Sequence, residues 1–180
     1  MDEIEEAVKI LDLGTQDICI MQCNTNYTGS IKNINYQNLN VLKTFQKKWP
    51  KLILGLSDHT AGHSSVLGAI SFGARIVEKH FTDDNSRNGP DHSFSMNPDS
   101  WKLMVESARE LESSLGIYEK KVEENEKETV VVQRRSIRLK FSKKTDEIIE
   151  LTDLEFLRPC PENSFNPMHT NKIVGKKLVR

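Results

Sequence analysis

LILGLSDHTAGHSSVLGAISFGARIVEKHF, residues 52–81, decides the fold. It opens on a continuous apolar run of strand length, the pattern of a strand covered on both faces. HSSVLGAISFGA follows as a helix rich in small residues, able to pack closely on a sheet, and RIVEKHF reads as the next strand. Strand, helix and strand in this order mean parallel strands joined by a right-handed crossover. Upstream, DICIMQC (17–23) is another apolar run of strand length, and NTNYTGS (24–30) is loop chemistry. Leu39, Leu42, Phe45 and Trp49 have helical spacing, and Pro50 ends that helix. Ile4, Ala7, Val8 and Leu11 form an earlier helical stripe with Gly14 as its stop. Downstream, Asn97 caps a helix, Pro98 suits its first position and Asp99 favours its positive end. Trp101, Met104, Val105, Ala108, Leu111 and Leu115 are its apolar stripe, and Gly116 sits where a C-cap glycine belongs. The class is therefore α/β. Three strands cannot close a barrel, so the sheet is either small and open or part of a larger (β/α) barrel.

Composition shifts after Gly116. IYEKKVEENEKE (117–128) is charged and poor in large apolar side chains, and reads as a linker or an exposed helix. TVVVQRRSIRLKF (129–141) is strand-like, DLEFLRPCPENSFNP is turn-rich, and NKIVGKKLVR ends on a strand pattern. The expected organisation is an α/β domain over 1–116, a linker over 117–128 and a small, mostly β domain over 129–180. With 25 basic and 26 acidic residues, nothing in the charge balance asks for nucleic acid or an anionic membrane. No apolar run approaches the about 20 residues that span a bilayer. The acidic start MDEIEEAVKIL is the opposite of a secretory signal, so a cytoplasmic protein is expected. Cys19, Cys23 and Cys160 are odd in number with no CxxC pair, and read as reduced, structural residues.

Three segments could carry chemistry. GLSDHTAGH ends the strand that begins at Leu52, and ligands of parallel α/β folds bind at the carboxyl ends of strands. Ser57, Asp58 and His59 are a candidate cluster there; equally, Ser57 and Asp58 could cap the next helix and His59 be polar surface. In VEKHF, Glu78 and His80 alternate to one face and Lys79 to the other. That face could bring His80 beside His59 on the neighbouring strand. Two imidazoles there suit a divalent transition metal, with Glu78 alongside as a proton acceptor or donor. A salt-bridged glutamate and a satisfied core histidine would be the plainer reading. In the long polar loop TDDNSRNGPDHSFSMNP, Asp91 could bind sugar hydroxyls with Ser95 or His92 orienting it, or GPD could be an ordinary turn.

GLSDHTAGH, GARIVEKHFTDD, GPDHSFSMNP and the later QRRSIRLK, LRPCP and IVGKKL occur in the order and at the spacing of a known family. Together they resemble the sialic acid synthase family, with its legionaminate, pseudaminate and spore-coat polysaccharide relatives. The likeness runs from about Ile4 to the end of the chain. It implies the C-terminal part of a (β/α)₈ TIM barrel followed by an antifreeze-like (SAF) domain, and condensation of phosphoenolpyruvate with an N-acetylated amino sugar. It also implies His59 and His80 as ligands of a divalent metal, Mn²⁺ foremost, with Mg²⁺ or Co²⁺ as substitutes. Glu78 is then the acid/base, Asp91 contacts the sugar, and Ser57 lies near phosphoenolpyruvate. Tyr27 lines the phosphate region, although Thr25 and Thr28 depart from the family pattern around it. Arg158 would hold the N-acetyl sugar in the partner subunit's site, which makes a domain-exchanged homodimer part of the mechanism. The family's enzymes are about twice this length, so five barrel strands and the end of the SAF domain are expected to be missing and the chain alone to be inactive. Outside the family, another metal-dependent barrel aldolase or synthase, or a non-catalytic carbohydrate-binding remnant, would fit the same residues.

Overall fold

The computed structural model describes residues 1–11 and 17–179; Gly14, the expected helix stop, lies outside them. The described chain divides into two compact units, Met1–Ile117 and Tyr118–Arg180.

The first unit is a parallel three-stranded sheet with helices packed on one face. Helix α1 (Asp2–Leu11) is followed by β1 (Cys19–Cys23), a 3-10 turn (Ile31–Tyr36) and α2 (Val41–Lys48). Then come β2 (Ile53–Asp58), α3 (Ser64–Ser71), β3 (Ile76–Lys79) and the long α4 (Pro98–Leu115). The strand order is β1-β2-β3, all parallel, with Cys23 opposite Ser57 and Ser57 opposite Glu78. Among the described residues, β1 and β3 each pair on one side only.

Alternation along the strands sorts the side chains. Ile20, Leu54, Leu56 and Val77 turn to the helical layer, where Leu42 and Phe45 of α2, Val66 and Ala69 of α3 and Met104 of α4 complete the core. Cys23, Ser57 and Glu78 fall on the opposite face. Helix α4 is punctuated as expected: the Asn97 side chain accepts from the Ser100 amide at 2.9 Å, and Gly116 follows with φ 56°. After His80 the chain loops out and returns, the Met96 amide donating to the His80 carbonyl at 2.9 Å and the Thr82 amide to the Met96 carbonyl at 2.8 Å. This return anchors the loop that carries Asp91.

The second unit holds α5 (Lys127–Gln133), β4 (Ser136–Leu139), β5 (Leu154–Leu157) and α6 (Thr170–Ile173), with β4 and β5 antiparallel. Two local expectations are corrected here. The β-branched run from Thr129 is helical up to Gln133, and the strand begins only at Ser136. The C-terminal segment first turns through α6, and only its last residues run extended, antiparallel to 146–149, with a bridge between Ile148 and Lys177 outside the β4–β5 sheet.

Candidate functional site

The site is a consequence of register. Because β2 and β3 are parallel with Ser57 opposite Glu78 and Asp58 opposite Lys79, cross-strand pairs follow one another at the carboxyl ends. Ser57 Oγ donates to Glu78 Oε1 at 2.9 Å on the open face. One step on, Lys79 Nζ lies 2.8 Å from Asp58 Oδ2 on the helical face. One step further, just past both strands, His59 Nδ1 and His80 Nε2 meet at 2.8 Å on the open face again. Asp58 does not cap α3, whose N-cap is His63; its Oδ1 accepts from the Thr60 amide at 2.8 Å and the Thr60 hydroxyl at 2.7 Å. Nor is His59 polar surface: it is 5% exposed.

Both imidazoles have a partner at their outer nitrogen. Cys23 Sγ lies 3.5 Å from His59 Nε2, and Asp91 Oδ2 lies 3.6 Å from His80 Nδ1. At 2.8 Å the inner nitrogens share an N–H···N hydrogen bond while no ion lies between them; with the proton of each ring on its outer nitrogen, His59 Nδ1 and His80 Nε2 would both offer lone pairs to an ion. Outer-shell partners of this kind orient histidine ligands in metal sites. Burial first, and the neighbouring His80 second, hold the His59 pKa below its usual value, which favours the neutral ring a metal requires. Two nitrogens 2.8 Å apart would subtend about 85° at an ion about 2.1 Å from each, so the donor pair fits two adjacent positions of one ion. Among the described residues no group of three or more His, Cys, Asp and Glu side chains is placed to hold a metal ion, so the donors on offer here are the two imidazole nitrogens.

Tyr27 and Phe94 close the sides. The Tyr27 ring lies 4.1 Å from the His59 ring, centroid to centroid, and stays 55% exposed. The Phe94 ring lies 5.2 Å from that of His80. Gly29 makes the Tyr27 loop possible: its φ is 62°, and a Cβ there would sit inside the Phe94 ring. Asp91 is held by its main chain, since Ser95 Oγ donates to the Asp91 carbonyl at 2.7 Å, whereas His92 pairs with the Thr82 hydroxyl at 2.7 Å. Tyr27, Ser57, His59, Glu78, His80 and Asp91 are thus neighbours. Arg158 belongs to the second unit, exposed directly after β5. Cys23, expected to be purely structural, was missed; its register opposite Ser57 is what puts it beside His59.

The NeuB family profile matches residues 1–120. The chain belongs to the NeuB family. Two NeuB-type relatives are N,N'-diacetyllegionaminic acid synthases. That of Campylobacter jejuni is 32% identical over 98% of this chain and 52% of its own length. That of Legionella pneumophila is 37% identical over 89% of this chain and 44% of its own. The crystal structure of N-acetylneuraminic acid synthetase from Leptospira borgpetersenii superimposes with a TM-score of 0.62 at 28% identity, over 72% of this chain and 44% of that one. The chain spans about half the length of the curated relatives it matches. No described helix is long and apolar enough to cross a membrane, and all three cysteines are free thiols.

Proposed function

We propose that this chain is the metal-bearing part of a nonulosonic acid synthase that joins phosphoenolpyruvate to an N-acetylated amino sugar, releasing phosphate. The observation that carries the reading is the approach of His59 Nδ1 and His80 Nε2 to 2.8 Å at adjacent strand ends, in a chain whose NeuB relatives are named as such synthases. The sugar would be N-acetylmannosamine or a diacetamido-trideoxyhexose. His59 and His80 would hold a divalent ion, Mn²⁺ foremost. When bound, that ion supplies Lewis acidity toward the sugar aldehyde.

The chain's own groups account for positioning and proton movement. In the reaction, C3 of phosphoenolpyruvate bonds to the aldehyde carbon, water adds at C2, and phosphate leaves by C–O cleavage. Glu78 is exposed on the open face with one oxygen held by the Ser57 hydroxyl. In this reading it takes the proton of the attacking water and returns it to the oxygen formed from the aldehyde. Asp91, beside His80, would accept hydrogen bonds from sugar hydroxyls, and Tyr27 would cover the phosphate side.

In this reading the three-stranded sheet is a sector of a (β/α)₈ barrel, and Tyr118–Arg180 is an antifreeze-like domain. Arg158 would reach the partner subunit's site in a domain-exchanged cytoplasmic dimer, and the chain by itself would not turn over. Incubation with phosphoenolpyruvate, Mn²⁺ and each candidate sugar tests this, alone and with an N-terminal barrel half supplied. Phosphate release that needs both the supplied half and an N-acetylated hexosamine is expected. Release with non-acetylated sugar phosphates instead would refute the substrate class.

A further inference from the structure

We infer that Asp58, Lys79 and Thr60 form a buried clamp whose task is to set the separation of the two imidazoles; this rests on the proposed metal site and extends it to the sheet's other face. The pair lies where a sheet packs on helices and hydrocarbon is the usual filling. The Lys79 and Asp58 side chains are 1% and 0% exposed. Withdrawing two charges from water carries a large desolvation penalty, and apolar pairs often serve stability as well or better. Stability alone is therefore a poor account of them.

Their connections point elsewhere. Asp58 immediately precedes His59, and Lys79 immediately precedes His80. The Lys79 ammonium donates to Asp58 Oδ2 at 2.8 Å and to the Thr60 carbonyl at 2.7 Å, so it holds the residue on each side of His59, one by its carboxylate and the other by its main chain. Asp58 Oδ1 takes the Thr60 amide and hydroxyl and, at 3.3 Å, Gln37 Nε2. The loop leaving β2 is thereby tied to β3 one residue before each histidine. No hydrogen bond of this clamp lies on the open face. It cannot touch an ion or a substrate, and acts only through where it puts His59 and His80. Asp58, Lys79 and Thr60 are positioning residues.

The test uses the 180-residue chain and two readouts. The charge-neutral double variant Asp58→Asn/Lys79→Met is compared with wild type by circular dichroism, by Mn²⁺ titration followed by electron paramagnetic resonance, and by ¹⁵N-histidine NMR of the metal-free protein. The expected result is a folded variant whose Mn²⁺ dissociation constant rises about 10–100-fold, the range for losing outer-shell support. In the metal-free variant the mutual contact signals of the two rings should also be lost. A folded variant that keeps wild-type Mn²⁺ affinity and ring contacts overturns the clamp. Should the double variant not fold, Thr60→Val decides, because it leaves both charges in place and removes the hydroxyl bond to Asp58 together with a longer one, 3.4 Å, to Ser65 Oγ: a several-fold weaker affinity supports the clamp, and unchanged affinity overturns it. Failure of the wild type to bind Mn²⁺ would refute the metal site instead, and the metal-free ring contacts would still judge the clamp.

Discussion

Replacing Lys79 by Met should damage this protein more than replacing Lys79 and Asp58 together. In the single variant Asp58 keeps its carboxylate in a site that is fully enclosed, while Oδ2 loses its only partner. Removing one partner of a buried ion pair costs about 3–5 kcal/mol. The lower half of that range applies here, because Oδ1 retains the Thr60 amide and hydroxyl. The Thr60 carbonyl is also stripped of its donor, which keeps the total from falling below about 4 kcal/mol. Against a typical stability of about 5–15 kcal/mol, that is a loss of a quarter or more, with Tm lower by roughly 15 °C. Asp58→Asn in the Lys79→Met background removes the stranded charge and should restore at least half of the loss. Urea denaturation of wild type, both singles and the double gives the cycle, with a coupling of about 2–3 kcal/mol expected. A Lys79→Met penalty under about 1 kcal/mol, or a double variant no better than the single, would refute the argument.

Other expectations follow from the site and core. His59→Ala should weaken Mn²⁺ binding by more than the about 10–100-fold of an outer-shell change, read by paramagnetic resonance titration. Glu78→Gln should leave Mn²⁺ affinity within about twofold yet slow phosphate release by about 10²–10⁴-fold in the complemented enzyme, the range of a positioned acid/base. Equal losses in binding and turnover would assign Glu78 to the metal rather than to protons. Leu56→Ala, at a fully enclosed core position, should cost about 3 kcal/mol in chemical denaturation, and a loss below about 1 kcal/mol would mean the sheet–helix core collapses around the gap.

The βαβ unit was legible because its punctuation and apolar runs agree. Helix α4 carries its cap, its proline and its closing glycine in the letters themselves. The site was legible to the depth that alternation reaches: with two parallel strands in register, Ser57 and His59 had to share a face with Glu78 and His80. What local reading could not supply was the other face. Asp58 looks like a helix cap until the strands are paired, alternation says of Lys79 only that it leaves the face of Glu78 and His80, and the two are 21 residues apart. Cys23 was hidden in the same way, inside a run whose hydrophobicity suggested filling rather than contact. The Thr129–Gln133 run misled for a different reason. Its valines favour strands, but a capped 3-10 turn, Glu124–Glu126, runs directly into the helix, with the Glu126 side chain accepting from the Glu123 amide at 2.8 Å. Local capping outweighed a weak side-chain preference.

The stacking of imidazole pair, ion pair and hydroxyl–carboxylate pair on alternating faces has a consequence for how this segment tolerates change. A strand repeats every two residues, so deleting one residue between Ile53 and Leu56 would turn the tip of β2 inside out. The aspartate would swing toward water and the histidine into hydrocarbon, disabling the cation site and its support in one event. Point replacements can adjust either face separately, but insertions and deletions here can only come in twos.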